Sequence, residues 1–187
     1  MTPFEYLSVL ISIIVGLAIT QLLSGAARLI QLRRRVRPHA TTLCWMVFLF
    51  LLDTQIWWAA FFRRFNQDWN FFLFLFYLLM PILAFLLSYL VLPELGDEDE
   101  IDLADNFNAN RPWFFGLFAL LLCASLMEQA IRVGSLHLDA DVAFRLLFLV
   151  LSLAAACVRS ARVHAWGAVV AVVLMCGYVA MLFLRLR

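Results

Sequence analysis

The sequence predicts an all-α integral membrane protein, a six-transmembrane-helix bundle with short loops, and three observations carry that prediction. Six apolar blocks of about 20 residues fill most of the 187-residue chain. At ~1.5 Å rise per residue such a block crosses a ~30 Å hydrocarbon core. The composition is 65% hydrophobic and 14% charged, with a mean hydropathy of +0.94, outside the range of soluble globular domains. The connections are short enough to leave no room for a soluble domain, so residues 1–187 are expected to form one transmembrane unit.

The first span is placed at about 4–27. It is too long for a signal-peptide core, and Met1–Tyr6 carries no positive charge, so it is expected to be retained. Arg28 and the cluster Arg33, Arg34, Arg35 and Arg37 follow it. The second span, at about 41–62, ends at Arg63 and Arg64, with Trp57 and Trp58 near the interface. The third, at about 70–92, carries Pro81 near its middle and stops at Pro93. The fourth, at about 112–133, is expected to start after Asn110 as its N-cap, with Pro112 in the first turn. The fifth and sixth follow at about 142–158 and 166–184.

Orientation follows from arginine. Five Arg lie between Arg28 and Arg37, and Arg159 and Arg162 lie in the fifth connection, which falls on the same side. That side is expected to be cytoplasmic and the termini to lie outside. The third connection, 94–110, is acidic (Glu94, Asp97, Glu98, Asp99, Glu100, Asp102, Asp105) and misses the EF-hand spacing, because Ile101 falls where a ligand belongs. It is expected to be a solvated loop able to meet a cytoplasmic partner.

Composition also excludes. Net charge is +1, so nucleic acid is not an implied partner. All 14 basic residues are Arg, which removes Schiff-base and phosphate-lysine chemistry. The four cysteines are isolated in apolar runs, and His39, His137 and His164 fall at expected membrane surfaces. No metal, haem or other cofactor is therefore expected. An intramembrane aspartyl protease needs two membrane aspartates and only Asp53 qualifies; no GxSxG or HExxH occurs, so no enzyme is expected.

The candidate functional residues are the polar ones inside the apolar blocks. A carboxylate near a bilayer midplane costs roughly 2.5–3.5 kcal/mol on insertion scales, so it faces a partner or a wet cavity. Asp53 is placed close to the midplane, and Gln55, Glu128, Gln129, Arg132, Arg145 and Glu5 lie on the side of it that carries the termini. The pattern predicts a polar vestibule tapering toward Asp53, with Arg145 neutralising Asp53 or Glu5 and Glu128 pairing with Arg132 at i, i+4. The other half offers mainly Gln21, Ser24 and Ser88. In the first span Ser8, Ser12, Gly16, Thr20 and Ser24 form an i+4 row suited to close helix packing or to lining a pore. Small residues in the fifth and sixth spans suggest that these pack against the first. Pro81 is a candidate gate or kink.

Two readings follow. The first is a channel or transporter for protons or a small ion, centred on Asp53 and assembled as a homo-oligomer. The second is a non-conducting scaffold or sensor that docks a partner through its acidic and Arg-rich loops. Small size and Arg-only basic content point to a bacterial inner membrane.

Overall fold

The structure, a computed structural model, describes residues 3–62, 71–93, 101–133 and 138–185, with the side chains of residues 3–4, 61–62, 101, 132–133 and 182–185 outside that description. It is a bundle of six helices: α1 (Pro3–Gln31), α2 (Ala40–Phe62), α3 (Phe71–Leu90), α4 (Leu103–Val133), α5 (Ala140–Cys157) and α6 (Ala161–Arg185). All six are long and apolar enough to cross a membrane. Two two-residue strands, β1 (Val36–Arg37) and β2 (Ile101–Asp102), pair in parallel and tie the first connection to the third. The chain thus has an Arg-rich end, where the first, third and fifth connections lie, and an opposite end, where α1 starts and α6 finishes.

The acidic connection is shorter than its composition suggests. Residues 103–110, expected in the loop, form the first turns of α4. Asp102 is the reason: its Oδ1 accepts from the backbone N–H groups of Ala104 at 2.8 Å and Asp105 at 3.4 Å, satisfying two donors at the helix start. Asn110 is no N-cap; its side chain donates to Asn106 Oδ1, one turn back, at 3.0 Å. Pro112 sits inside the helix on an exposed position, one turn after the exposed Asn108 whose carbonyl it frees. A helix of 31 residues is about 46 Å long and outruns the hydrocarbon core, so this proline falls where water can satisfy that carbonyl. Residues 94–100, which carry most of the acidic charge, lie outside the described residues, as do Arg63, Arg64 and His137.

Burial ranks the helices. In α3 and α4, 44% of the span is buried, against 17% in α5 and 22% in α6. α1 packs on α3 and α2, α5 packs on α4, and α6 packs on α2. The grouping of α1 with α5 and α6 is therefore corrected. The packed face of α1 is Leu7, Ile11, Val15, Ala18, Leu22 and Gly25, a helical-period apolar stripe. The i+4 row lies outside it: Ser8 is half-buried, and Ser12, Gly16, Thr20 and Ser24 are exposed. Its hydroxyls are largely satisfied on their own helix, with Ser8 donating to Glu5 O (2.9 Å), Ser12 to Ser8 O (2.7 Å) and Thr20 to Gly16 O (2.7 Å).

Aromatic rings fill the centre. Trp45 meets Phe48, Phe114 and Phe115 edge-on at centroid distances of 5.2, 5.2 and 5.4 Å, and Phe48 meets Phe118 at 5.4 Å and Phe148 at 5.7 Å. Lipid tails are as apolar as these rings, so shape-matched dispersion holds the helices together rather than water exclusion. Each such pair adds about 0.5–1.5 kcal/mol beyond area burial. Phe48 of α2 and Phe107, Phe114, Phe115 and Phe118 of α4 are core residues, whereas Phe50 is exposed.

Candidate functional site

A cavity of about 420 Å³ lies between α2, α4, α5 and α6, with Met80 of α3 contributing to its wall. Its inner walls are Phe48, Leu52, Phe118, Leu122 and Phe148; toward the terminal end they become Gln55, Ser125, Glu128, Gln129, Asp141 and Arg145. Helical geometry assembles this set. On α4 Ser125 follows Leu121 at i+4, and Glu128 and Gln129 follow Ser125 at i+3 and i+4, all on one face; on α5 Arg145 follows Asp141 at i+4 and Phe148 follows Arg145 at i+3.

Arg145 is the hub. Its Nη1 donates to the Ser125 carbonyl at 3.2 Å and to Gln129 Oε1 at 3.0 Å, and its Nη2 donates to Asp141 Oδ2. Tyr178 of α6 donates to the other oxygen of Asp141 at 2.6 Å. The guanidinium and the carboxylate are about a fifth and a quarter exposed, so the pair is neither dry nor fully solvated. Asp141 is positioned by the start of α5, where Asp139 caps the helix by accepting from Val142 N at 2.8 Å. The polar end is thus one connected network joining α4, α5 and α6.

The expected vestibule is only partly the observed one. Gln55, Glu128, Gln129 and Arg145 come together on this cavity. Asp53 does not line it. Two residues along a helix differ by about 200°, so Gln55 faces the cavity while Asp53 points to α3. There Asp53 is fully buried and accepts from Ser88 Oγ at 3.2 Å, and its Oδ1 has no hydrogen-bond partner. The depth estimate that separated Ser88 from Asp53 is corrected by this contact: counting residues from the span ends places each helix singly and takes no account of how α2 and α3 pack. Arg145 pairs with Asp141, not with Asp53 or Glu5. Glu5 sits on exposed α1 surface, and among the described residues none of α1 lines the cavity. The side chain of Arg132 lies outside the described residues. Pro81 is buried, and α3 runs through it without interruption.

Three cavity residues escape sequence reasoning: Asp141, Tyr178 and Ser125. The signal for Asp141 was present in its i, i+4 spacing to Arg145, the favourable order for an acid–base pair on a helix. Tyr178 and Ser125 carry no such signal, since their role depends on how α4 and α6 are placed around α5.

A second polar cluster occupies the Arg-rich end. His39 Nδ1 lies 3.1 Å from Thr42 Oγ1, and the Phe107 ring stands 5.7 Å from His39 and 5.5 Å from His164. His164, expected at the surface, is instead buried and stacks on Phe115 at 5.7 Å. Its Nε2 lies 2.9 Å from the Val158 carbonyl, which can only accept, so that nitrogen carries the hydrogen. Burial lowers the His39 pKa from its ordinary value; Asp102 acts against this and His164 adds to it.

Among the described residues no three His, Cys, Asp or Glu side chains gather as a metal site would require. Compared with models of protein families, with characterised proteins and with solved structures, the chain matches none.

Proposed function

We propose that this protein is a small membrane transporter whose solute occupies the cavity between α2, α4, α5 and α6 and enters from the end that carries the termini. The observation behind this reading is convergence: polar side chains from four helices meet on one cavity inside an otherwise apolar bundle. Buried polar groups in a bilayer are costly and mark pathways or binding sites. A cavity of about 420 Å³ also lies in the size range of small-molecule sites. Arg145 and Asp141 are the orienting pair, Gln129 and Ser125 the hydrogen-bonding contacts, and Phe48, Phe118 and Phe148 the closure at the inner end. The closure favours a carrier over an open ion channel, and Asp53 stands outside the route. The non-conducting reading survives only if the cavity is sealed.

The test is one-sided thiol labelling. On a background without the native cysteines, Ser125→Cys reacts with a membrane-impermeant maleimide applied to the terminal side and resists it from the other. Asp53→Cys resists it from both. A Ser125→Cys protein inert from both sides would show the cavity to be closed to water and would favour the scaffold reading.

A further inference from the structure

The charged groups lining this cavity are already engaged, and several of its neutral polar groups are not. Both oxygens of Asp141 are engaged, one by Arg145 and one by Tyr178, and Arg145 spends its remaining contacts on Ser125 O and Gln129 Oε1. Glu128 is engaged as well. By contrast the Gln55 carboxamide, the Ser125 hydroxyl and the NH₂ of Gln129 line the cavity without a hydrogen-bond partner among the described residues. Gln129 is only 7% exposed, so its NH₂ faces the cavity rather than bulk water. None of these three groups is among the sealed polar atoms of the bundle, so each is open to the cavity, and a ligand head that reaches them exchanges water contacts for direct ones. The deeper wall is aromatic and aliphatic and offers nothing polar.

We infer that the cavity binds an uncharged amphiphile dissolved in the bilayer. Its small hydroxyl- or carbonyl-bearing head would be held by Gln55, Ser125 and Gln129, and its apolar body would lie against Phe48, Phe118 and Phe148. A charged head would meet Arg145 and Asp141 already paired with each other and Glu128 already engaged, and it would be desolvated without a free counter-ion. The inference rests on the proposed function, since it names the substrate class of that same cavity. The volume is right for one apolar chain or one ring system and is far too small for a whole phospholipid.

The experiment is competitive photolabelling of the full chain in nanodiscs. A diazirine analogue of 1-decylglycerol is displaced by 1-decylglycerol, decanoate or decyltrimethylammonium, which share a chain and differ in head charge, and adducts are mapped by mass spectrometry. The neutral compound is expected to compete at least about tenfold better than either charged one. Gln129→Leu should weaken it several-fold, and Ser125→Trp should abolish labelling of Phe118 and Phe148. If decanoate or decyltrimethylammonium competes equally well and Ser125→Trp still blocks labelling, the substrate class is wrong and the cavity site stands. If no probe labels the cavity, or labelling ignores Ser125→Trp, both the class and the proposed function fall. Gln129→Glu, which keeps the shape and adds a charge, separates loss of a hydrogen bond from misfolding: it should retain the fold and lose the neutral probe.

Discussion

Two carboxylates inside the same bundle meet opposite fates. Asp141 lies on a cavity, partly exposed, with both oxygens engaged by side chains from two helices. Asp53 lies between α2 and α3 with no exposure and a single hydroxyl contact. Both are aspartates in apolar helices, and depth in the span favours Asp53 as the functional group. Partners and space decide otherwise. A carboxylate that shares a network with Arg145, Gln129 and Tyr178 beside about 420 Å³ of open volume can take part in binding. One sealed against Ser88 can only hold two helices in register.

Substitutions should widen or collapse that contrast. The largest effect is expected at Arg145: Arg145→Leu leaves Asp141 and Gln129 without their donor and should cost roughly 2–3 kcal/mol, scaled down from a fully buried pair because both partners are partly exposed. Denaturant unfolding in micelles measures this, and a double-mutant cycle with Asp141→Asn should return a coupling above about 1 kcal/mol. Next comes Ser88→Ala, which removes the single contact to Asp53 and should cost about 1 kcal/mol. Asp53→Asn should cost less than about 1 kcal/mol, because the amide keeps the shape and no cation loses a partner. A larger loss at Asp53 than at Arg145 in the same unfolding series would reverse the ranking of the two sites.

The pH dependence belongs to the other end of the molecule. His39 has a lowered pKa in the fold, so the unfolded chain binds its proton more readily. Stability is therefore full above about pH 6.5, the unfolded value. It falls as the pH drops below that value, and it levels off once His39 is protonated in the fold as well. Melting curves from pH 8 to pH 5 should show this decline in the wild type and a flatter profile in His39→Gln. The smallest effect is expected on α1, where Thr20→Ala should change stability by less than about 0.5 kcal/mol, since its hydroxyl bonds only to its own helix.

Much of this was legible in the chain. The six helices follow from run length and apolarity, because in lipid a backbone must satisfy itself and a long apolar stretch has no other solution. The gathering of Gln55, Glu128, Gln129 and Arg145 at one end follows from the alternation of spans, which fixes height. What was not legible is azimuth. Asp53 and Gln55 share a height and face opposite ways, and no periodicity can show this in a helix that is apolar on every side, as α2 is. The start of α4 was misplaced for a local reason: Asn110 and Pro112 look like a helix start, but Asp102 caps the backbone earlier and the helix runs through both.

The sequence by itself determined that the chain is a bundle of six apolar helices, that each is long enough to cross a membrane, and that Gln55, Glu128, Gln129 and Arg145 share one end of it. All three depend on one helix at a time and on the cost of exposing a backbone to hydrocarbon. Tertiary structure alone decided which helices touch, that Tyr178 reaches Asp141, that Ser88 covers Asp53, and that a cavity opens beside Gln129. These depend on the rotation and axial shift of each helix against its neighbours. Such choices are set by the close packing of Trp45, Phe48, Phe115 and Phe118, whose shapes have to fit together before any of those contacts exists.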